Sequence, residues 1–138
     1  MSEENVAIVR TIVGAFRRRD VEVMEALQSP EVEWDATRMG GRLPGWEGVH
    51  RGPEATRDFW GAWLSSWRDL KFDFEIRDAG DRVVVLINNQ RQWGRHSGIE
   101  TEFPPYSWVY TVRDGRIVHG AFYPDQQAAL EDCGLAAE

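Results

Sequence analysis

The chain changes period abruptly near residue 67, and this limits its fold more than any other feature. Upstream, in PEATRDFWGAWLSSW, Phe59, Trp60, Trp63, Leu64 and Trp67 recur three and four apart and form the apolar stripe of a helix. Directly after, LKFDFEIR alternates without a fault, Leu70, Phe72, Phe74 and Ile76 against Lys71, Asp73, Glu75 and Arg77. That is the pattern of a strand with one face buried. A chain that is mostly helical before one point and mostly extended after it packs helices against one face of a sheet.

The segments on either side agree. Val6, Val9, Ile12, Val13 and Phe16 predict a helix over about residues 3–18. Asp20 is placed to cap a short second helix, VEVMEALQ, which ends before Pro30. EVEWDA alternates, with Val32 and Trp34 on one face. Gly52-Pro53-Glu54 reads as the start of the third helix. Beyond the switch, Ala79-Gly80-Asp81 marks a hairpin turn into RVVVLINNQRQW, His96-Ser97-Gly98 a further turn, and Asp114-Gly115 the turn between a strand over Tyr106–Arg113 and RIVHGAFY, with Pro104-Pro105 making a break or bulge just before Tyr106. Pro124 opens a last helix, DQQAALEDC, closed by Gly134. The expected class is α+β, a strongly curved, mostly antiparallel sheet with helices on it and room for an internal pocket.

Charge and composition narrow the function. A formal charge of −7 over 138 residues is wrong for nucleic acid or an anionic membrane surface. No apolar run approaches the length of a membrane span, and the acidic start MSEENVAIVR is unlike a signal peptide, so a cytoplasmic protein is expected. Cys133 is alone, which leaves no disulfide framework. Seven Trp exceed what so small a core requires, and a pocket lined with them would explain the excess.

RRRDVEVMEALQSPEVEW, RGPEATRDFWGAWL, AGDRVVV and the closing VRDGRIVHGAFYPD, in this order and spacing, resemble the SnoaL-like polyketide cyclase family of the nuclear-transport-factor-2-like superfamily. The resemblance covers nearly the whole chain as one domain, residues 1–138. It implies a cone-shaped barrel with a deep apolar pocket and a homodimer formed through the outer face of the sheet. It does not imply one reaction, since the group includes ketosteroid isomerases, cyclases, epoxide hydrolases, dehydratases and binding domains. The acid that cyclases carry on the last strand is matched here by Phe122, which cannot move a proton. The Tyr and Asp of the isomerases are matched by Ile12 and Ala36, with Asp35 one residue away. Of the Asp–Arg–Asp set of the hydrolases, Arg91 could supply the cation.

The strand pattern gives a candidate site. If Val83 and Val85 face inward, period two carries Ile87, Asn89, Arg91 and Trp93 to the same side. Tyr106, Trp108, Tyr110 and Val112 share a face on the next strand, and Val118, Gly120 and Phe122 on the last, with Gly120 leaving space between its neighbours. Trp34, Phe59 and Trp63 complete an aromatic box. Arg91 and Tyr106 are then candidates to steady a carbonyl or enolate oxygen, and Asp35 or His50 to move a proton. A bulge at Asn88-Asn89 would reverse the later residues and turn Gln90 and Gln92 inward, giving a neutral pocket. His50, His96 and His119 fit no metal-binding spacing, and no cofactor motif occurs. The irregular segment Ala36–Arg51, with Met39, Leu43 and Trp46, suits a lid or a dimer contact. Val84, Leu86, Val109 and Thr111 form an apolar outer face that a homodimer would cover. The expected ligand is a small apolar or carbonyl-bearing molecule. Either a cofactor-free isomerase, cyclase or hydrolase or a binding or dimerisation module without turnover fits these residues.

Overall fold

The computed structural model describes residues 2–42 and 48–135. Helix α1 (Ser2–Arg18) begins with Glu3 and Glu4 and ends with Arg17 and Arg18, each sign at the end where the helix dipole favours it. It buries Val9, Ile12, Val13 and Phe16, the stripe read from the sequence. Helix α2 (Val21–Ala26) is capped by Asp20, whose side chain accepts from Val23 N. It is shorter than VEVMEALQ, because strand β1 (Gln28–Asp35) begins two residues before Pro30. A 3-10 helix (Thr37–Arg42) and the short strand β2 (Val49–Arg51) lead to α3 (Gly52–Ser65), which has Pro in its first turn.

The meander follows as β3 (Trp67–Asp78), β4 (Arg82–Gly94), β5 (Glu100–Glu102), β6 (Tyr106–Arg113) and β7 (Arg116–Tyr123). These described strands form one curved, open sheet in the order β2-β1-β7-β6-β4-β3, with β5 on β4. All pairings are antiparallel except β1 with β7. The concave face and the first three helices enclose the main core, which includes Trp34, Trp60, Val83, Val85, Ile87, Trp108 and Phe122.

Two bulges alter the faces expected from strict alternation. In the β3–β4 ladder, Lys71 pairs with Arg91 but Asp73 with Asn88, so β4 holds one extra residue. Asn89 takes it up at φ 55°, a left-handed conformation that Asn tolerates, and its side-chain amide donates to Asp73 Oδ2 at 2.8 Å. Beyond it Gln90 and Gln92 are buried, while Asn89 and Arg91 are exposed. In the β6–β7 ladder a shift after Thr111 puts Ile117, not Val118, in the core opposite Val112.

The outer face is not open. Helix α4 (Gln126–Asp132), capped by the Asp125 side chain, lies across it. Val84, Leu86, Val109, Ala121 and Tyr123 pack with Ala129 and Cys133 in a second cluster. Gln126 fastens the helix by donating to the carbonyls of Ile87 and Tyr106. No second copy is needed to cover Val84, Leu86 and Val109, because helix α4 of the same chain does so.

Candidate active or binding site

The concave face holds a cavity of about 250 Å³. Its helical wall comes from Phe16 of α1 and from Phe59, Trp60 and Trp63, which the 3.6-residue repeat places on one side of α3. Met39 of the 3-10 helix contributes from the segment expected to act as a lid. Leu43 and Trp46 of that segment lie outside the described residues. The sheet contributes Tyr106, Trp108 and Phe122, and Phe103, Pro104, Pro105 and Pro124, all at least partly exposed, complete the lining. Phe16 meets Trp60 and Trp108 edge to face at ring-centre distances of 5.0 and 5.2 Å, so the walls are packed rings in a favourable arrangement.

Among the described lining residues Tyr106 is the one ionisable side chain. Burial pushes its hydroxyl well above the usual range, although Gln90 accepts its proton at 2.5 Å, which works the other way. Gln90 in turn donates to Gln92 Oε1 at 2.6 Å. Among the described residues the buried Gln92 Nε2 and the indole N–H groups of Trp63 and Trp108 have no acceptor.

The candidate residues separate into three groups. Phe59, Trp63, Tyr106, Trp108 and Phe122 do line the cavity. Trp34 and Tyr110 are packed behind it in the core, 1% and 3% exposed, with ring centres 5.5 Å apart. Trp34 also fills the space above Gly120: a Cβ there would lie 2.4 Å from the Trp34 ring. That glycine admits a core tryptophan rather than a ligand. The Tyr110 hydroxyl, like that of Tyr106, is raised by burial.

The third group is placed elsewhere by the fold. Arg91 and Asn89 face outward because of the bulge, and Arg91 lies over Trp93 with 5.8 Å between guanidinium carbon and ring centre. Trp93 is half-buried, also approached by Lys71, and does not line the cavity. Asp35 pairs with Ala121, a member of the outer cluster, and so points away from the cavity. Burial raises its carboxyl, but hydrogen bonds from Thr37 N and Oγ1 and the charge of Arg38 outweigh this and hold it below the ordinary range. It stabilises a turn. His50 lies opposite Trp34 on β2, hence on the inner face of the sheet, without lining the cavity. Among the described residues no three His, Cys, Asp or Glu side chains converge to hold a metal.

Gln90 and Gln92 were legible only through the alternative register, for which the adjacent asparagines were the signal. Met39 and the Phe103–Pro105 rim carry no periodic signal, because neither lies in a regular strand or an α-helix.

Known proteins place this arrangement in context. The SnoaL-like domain family matches residues 9–120, most of the chain. The chain matches no curated protein. Among solved structures, an NTF2-like protein of unknown function from Burkholderia pseudomallei K96243 superimposes with a TM-score of 0.74 at 22% identity, over 93% of this chain and 95% of that one. TerC, co-crystallised with polyporic acid, gives 0.72 at 23% identity over 95% and 98%. An LEH-like epoxide hydrolase from M. tuberculosis gives 0.69 at 16% identity over 88% and 83%. At such identities these likenesses speak to fold, and with the match over residues 9–120 they lead to one conclusion: the chain belongs to the SnoaL-like domain family.

Proposed function

We propose that this protein binds one small, neutral, largely aromatic or polycyclic molecule in the cavity of its concave face. The observation that carries this reading is the character of the walls: rings, prolines and a methionine, with Tyr106 as the sole ionisable lining group among the described residues, its ionisation further opposed by burial. At about 250 Å³ the cavity exceeds the ~150 Å³ that admits a benzene ring and suits more than one fused ring. The co-crystallisation of TerC with polyporic acid supports a small-molecule role for the fold. Two-fold pairing belongs to the proposal on the strength of the family alone, since α4 already covers the outer face.

Titration with naphthalene, followed by tryptophan fluorescence, tests this directly. Saturable binding of one molecule per chain is expected, weakened when the cavity is filled by Phe59→Trp. Absence of saturable binding overturns it.

A second reading, a cofactor-free isomerase, cyclase or hydrolase for a carbonyl-bearing substrate, draws on the Tyr106 hydroxyl, a hydrogen-bonding group at the cavity wall. It needs a proton acceptor. Phe122 cannot serve, Asp35 and Arg91 face outward, and His50 on the inner face is the remaining candidate. Turnover of a ketone substrate that disappears in His50→Gln would favour this reading over binding alone.

A further inference from the structure

Three polar side chains form a line that starts at Tyr106 in the wall of the aromatic cavity and runs behind it. The Tyr106 hydroxyl donates to Gln90 Oε1, and Gln90 Nε2 donates to Gln92 Oε1. The line ends at Gln92, which is fully buried and whose Nε2 has no acceptor among the described residues. A buried N–H without a partner is the rarer and more costly loose end; an under-satisfied carbonyl is better tolerated.

The direction of the line is not the only one its atoms allow. A side-chain amide presents a donor and an acceptor of nearly the same shape, and a half-turn about its last torsion exchanges them. With both amides turned, Gln92 Nε2 would donate to Gln90 Oε1, and Gln90 Nε2 to the Tyr106 oxygen. The Tyr106 proton would then be released, and the loose end at Gln92 would become a carbonyl. In an empty cavity this only moves the unpaired donor from Gln92 to Tyr106. With an acceptor oxygen beside Tyr106, every donor group in the line has a partner.

We propose that Tyr106, Gln90 and Gln92 form the polar end of the cavity and select an apolar ligand carrying a carbonyl-type oxygen, received by reversal of both amides. This rests on the binding reading above and adds the class of ligand. Tyr106 touches the ligand; Gln90 and Gln92 are positioning residues that act through it. A ligand bearing only a hydroxyl donor would be accepted by the Tyr106 oxygen in the existing direction and would leave Gln92 unrelieved, so a carbonyl is preferred.

The experiment compares 1-tetralone with naphthalene, which shares its size and lacks the oxygen. In the wild-type protein the ratio of affinities is expected to favour 1-tetralone by about tenfold, the worth of one good hydrogen bond. Tyr106→Phe should bring the ratio close to one. Gln90→Met with Gln92→Met removes both amides together, so neither amide is left facing a lost partner and only the Tyr106 hydroxyl loses its acceptor. It frees the Tyr106 proton without any turnover, so the ratio should rise severalfold above that of the wild type. If the glutamines are only structural, the two affinities shift together and the ratio stays put, which overturns the inference. The infrared carbonyl stretch of bound 1-tetralone serves should the double variant not fold. It should lie lower in the wild type than in Tyr106→Phe, and equal frequencies refute the proposal. Failure of naphthalene itself to bind counts instead against the cavity as a binding site.

Discussion

The two halves of β4 obey different rules. From Val83 to Ile87 the strand alternates as its sequence reads, with Val83, Val85 and Ile87 in the main core and Val84 and Leu86 in the outer cluster. From Gln90 to Trp93 the same count of two gives the wrong face, because Asn89 inserts one residue. One residue thus decides whether a guanidinium or two neutral amides are buried beside Tyr106. Alternation reports the face of a strand only as far as the next bulge.

That contrast can be broken. Gln90→Arg puts a guanidinium at the inward position just past the bulge. An unpaired buried charge costs about 3–5 kcal/mol, so the fold should be severely destabilised, as read by urea unfolding. A Gln90→Arg variant of near wild-type stability would show that the bulge does not turn position 90 inward. On the regular half, Ile87→Ala removes a fully buried side chain and should cost about 2–5 kcal/mol by the same measurement.

Smaller changes sharpen it. Asn89→Val forces a β-branched residue into the left-handed region and removes the bond to Asp73, for an expected loss of about 1–2 kcal/mol. Arg91→Ala, at an exposed position, should change stability by less than about 0.5 kcal/mol and leave naphthalene binding intact. Asp35, the other charged candidate found facing outward, contributes through its turn. Its carboxyl lies lower in the folded chain than in the unfolded one, so its stabilisation is present above the ordinary carboxylate range and is lost as pH falls through the folded value. Asp35→Asn should cost under about 1 kcal/mol at neutral pH, and the gap to wild type should close in acid.

Much of the architecture was legible because burial imposes a period. The α1 stripe, the α3 stripe and the faultless alternation of β3 each meet a continuous apolar surface, so each repeats cleanly. What escaped the sequence has no period. The space at Gly120 reads as room in the sequence because the ring that fills it, Trp34, comes from a strand that is paired with β7 but distant along the chain. Alternation alone leaves the outer face uncovered, because α4 has seven residues, too few for its apolar side to stand out in the sequence. Of the site, the aromatic positions on α3, β6 and β7 followed from their elements, whereas Gln90 and Gln92 depended on a local left-handed residue that asparagine permits but does not demand.

The reversal of β4 at Asn89 underlies the neutral cavity and the polar line behind it, and thiol labelling tests it most directly. In a Cys133→Ala background, Arg91→Cys and Gln92→Cys place one thiol on each face of the strand. The account predicts that Arg91→Cys reacts with a maleimide at nearly the rate of the unfolded chain, while Gln92→Cys is protected in the native protein. Protection of Arg91→Cys together with rapid labelling of Gln92→Cys would contradict it.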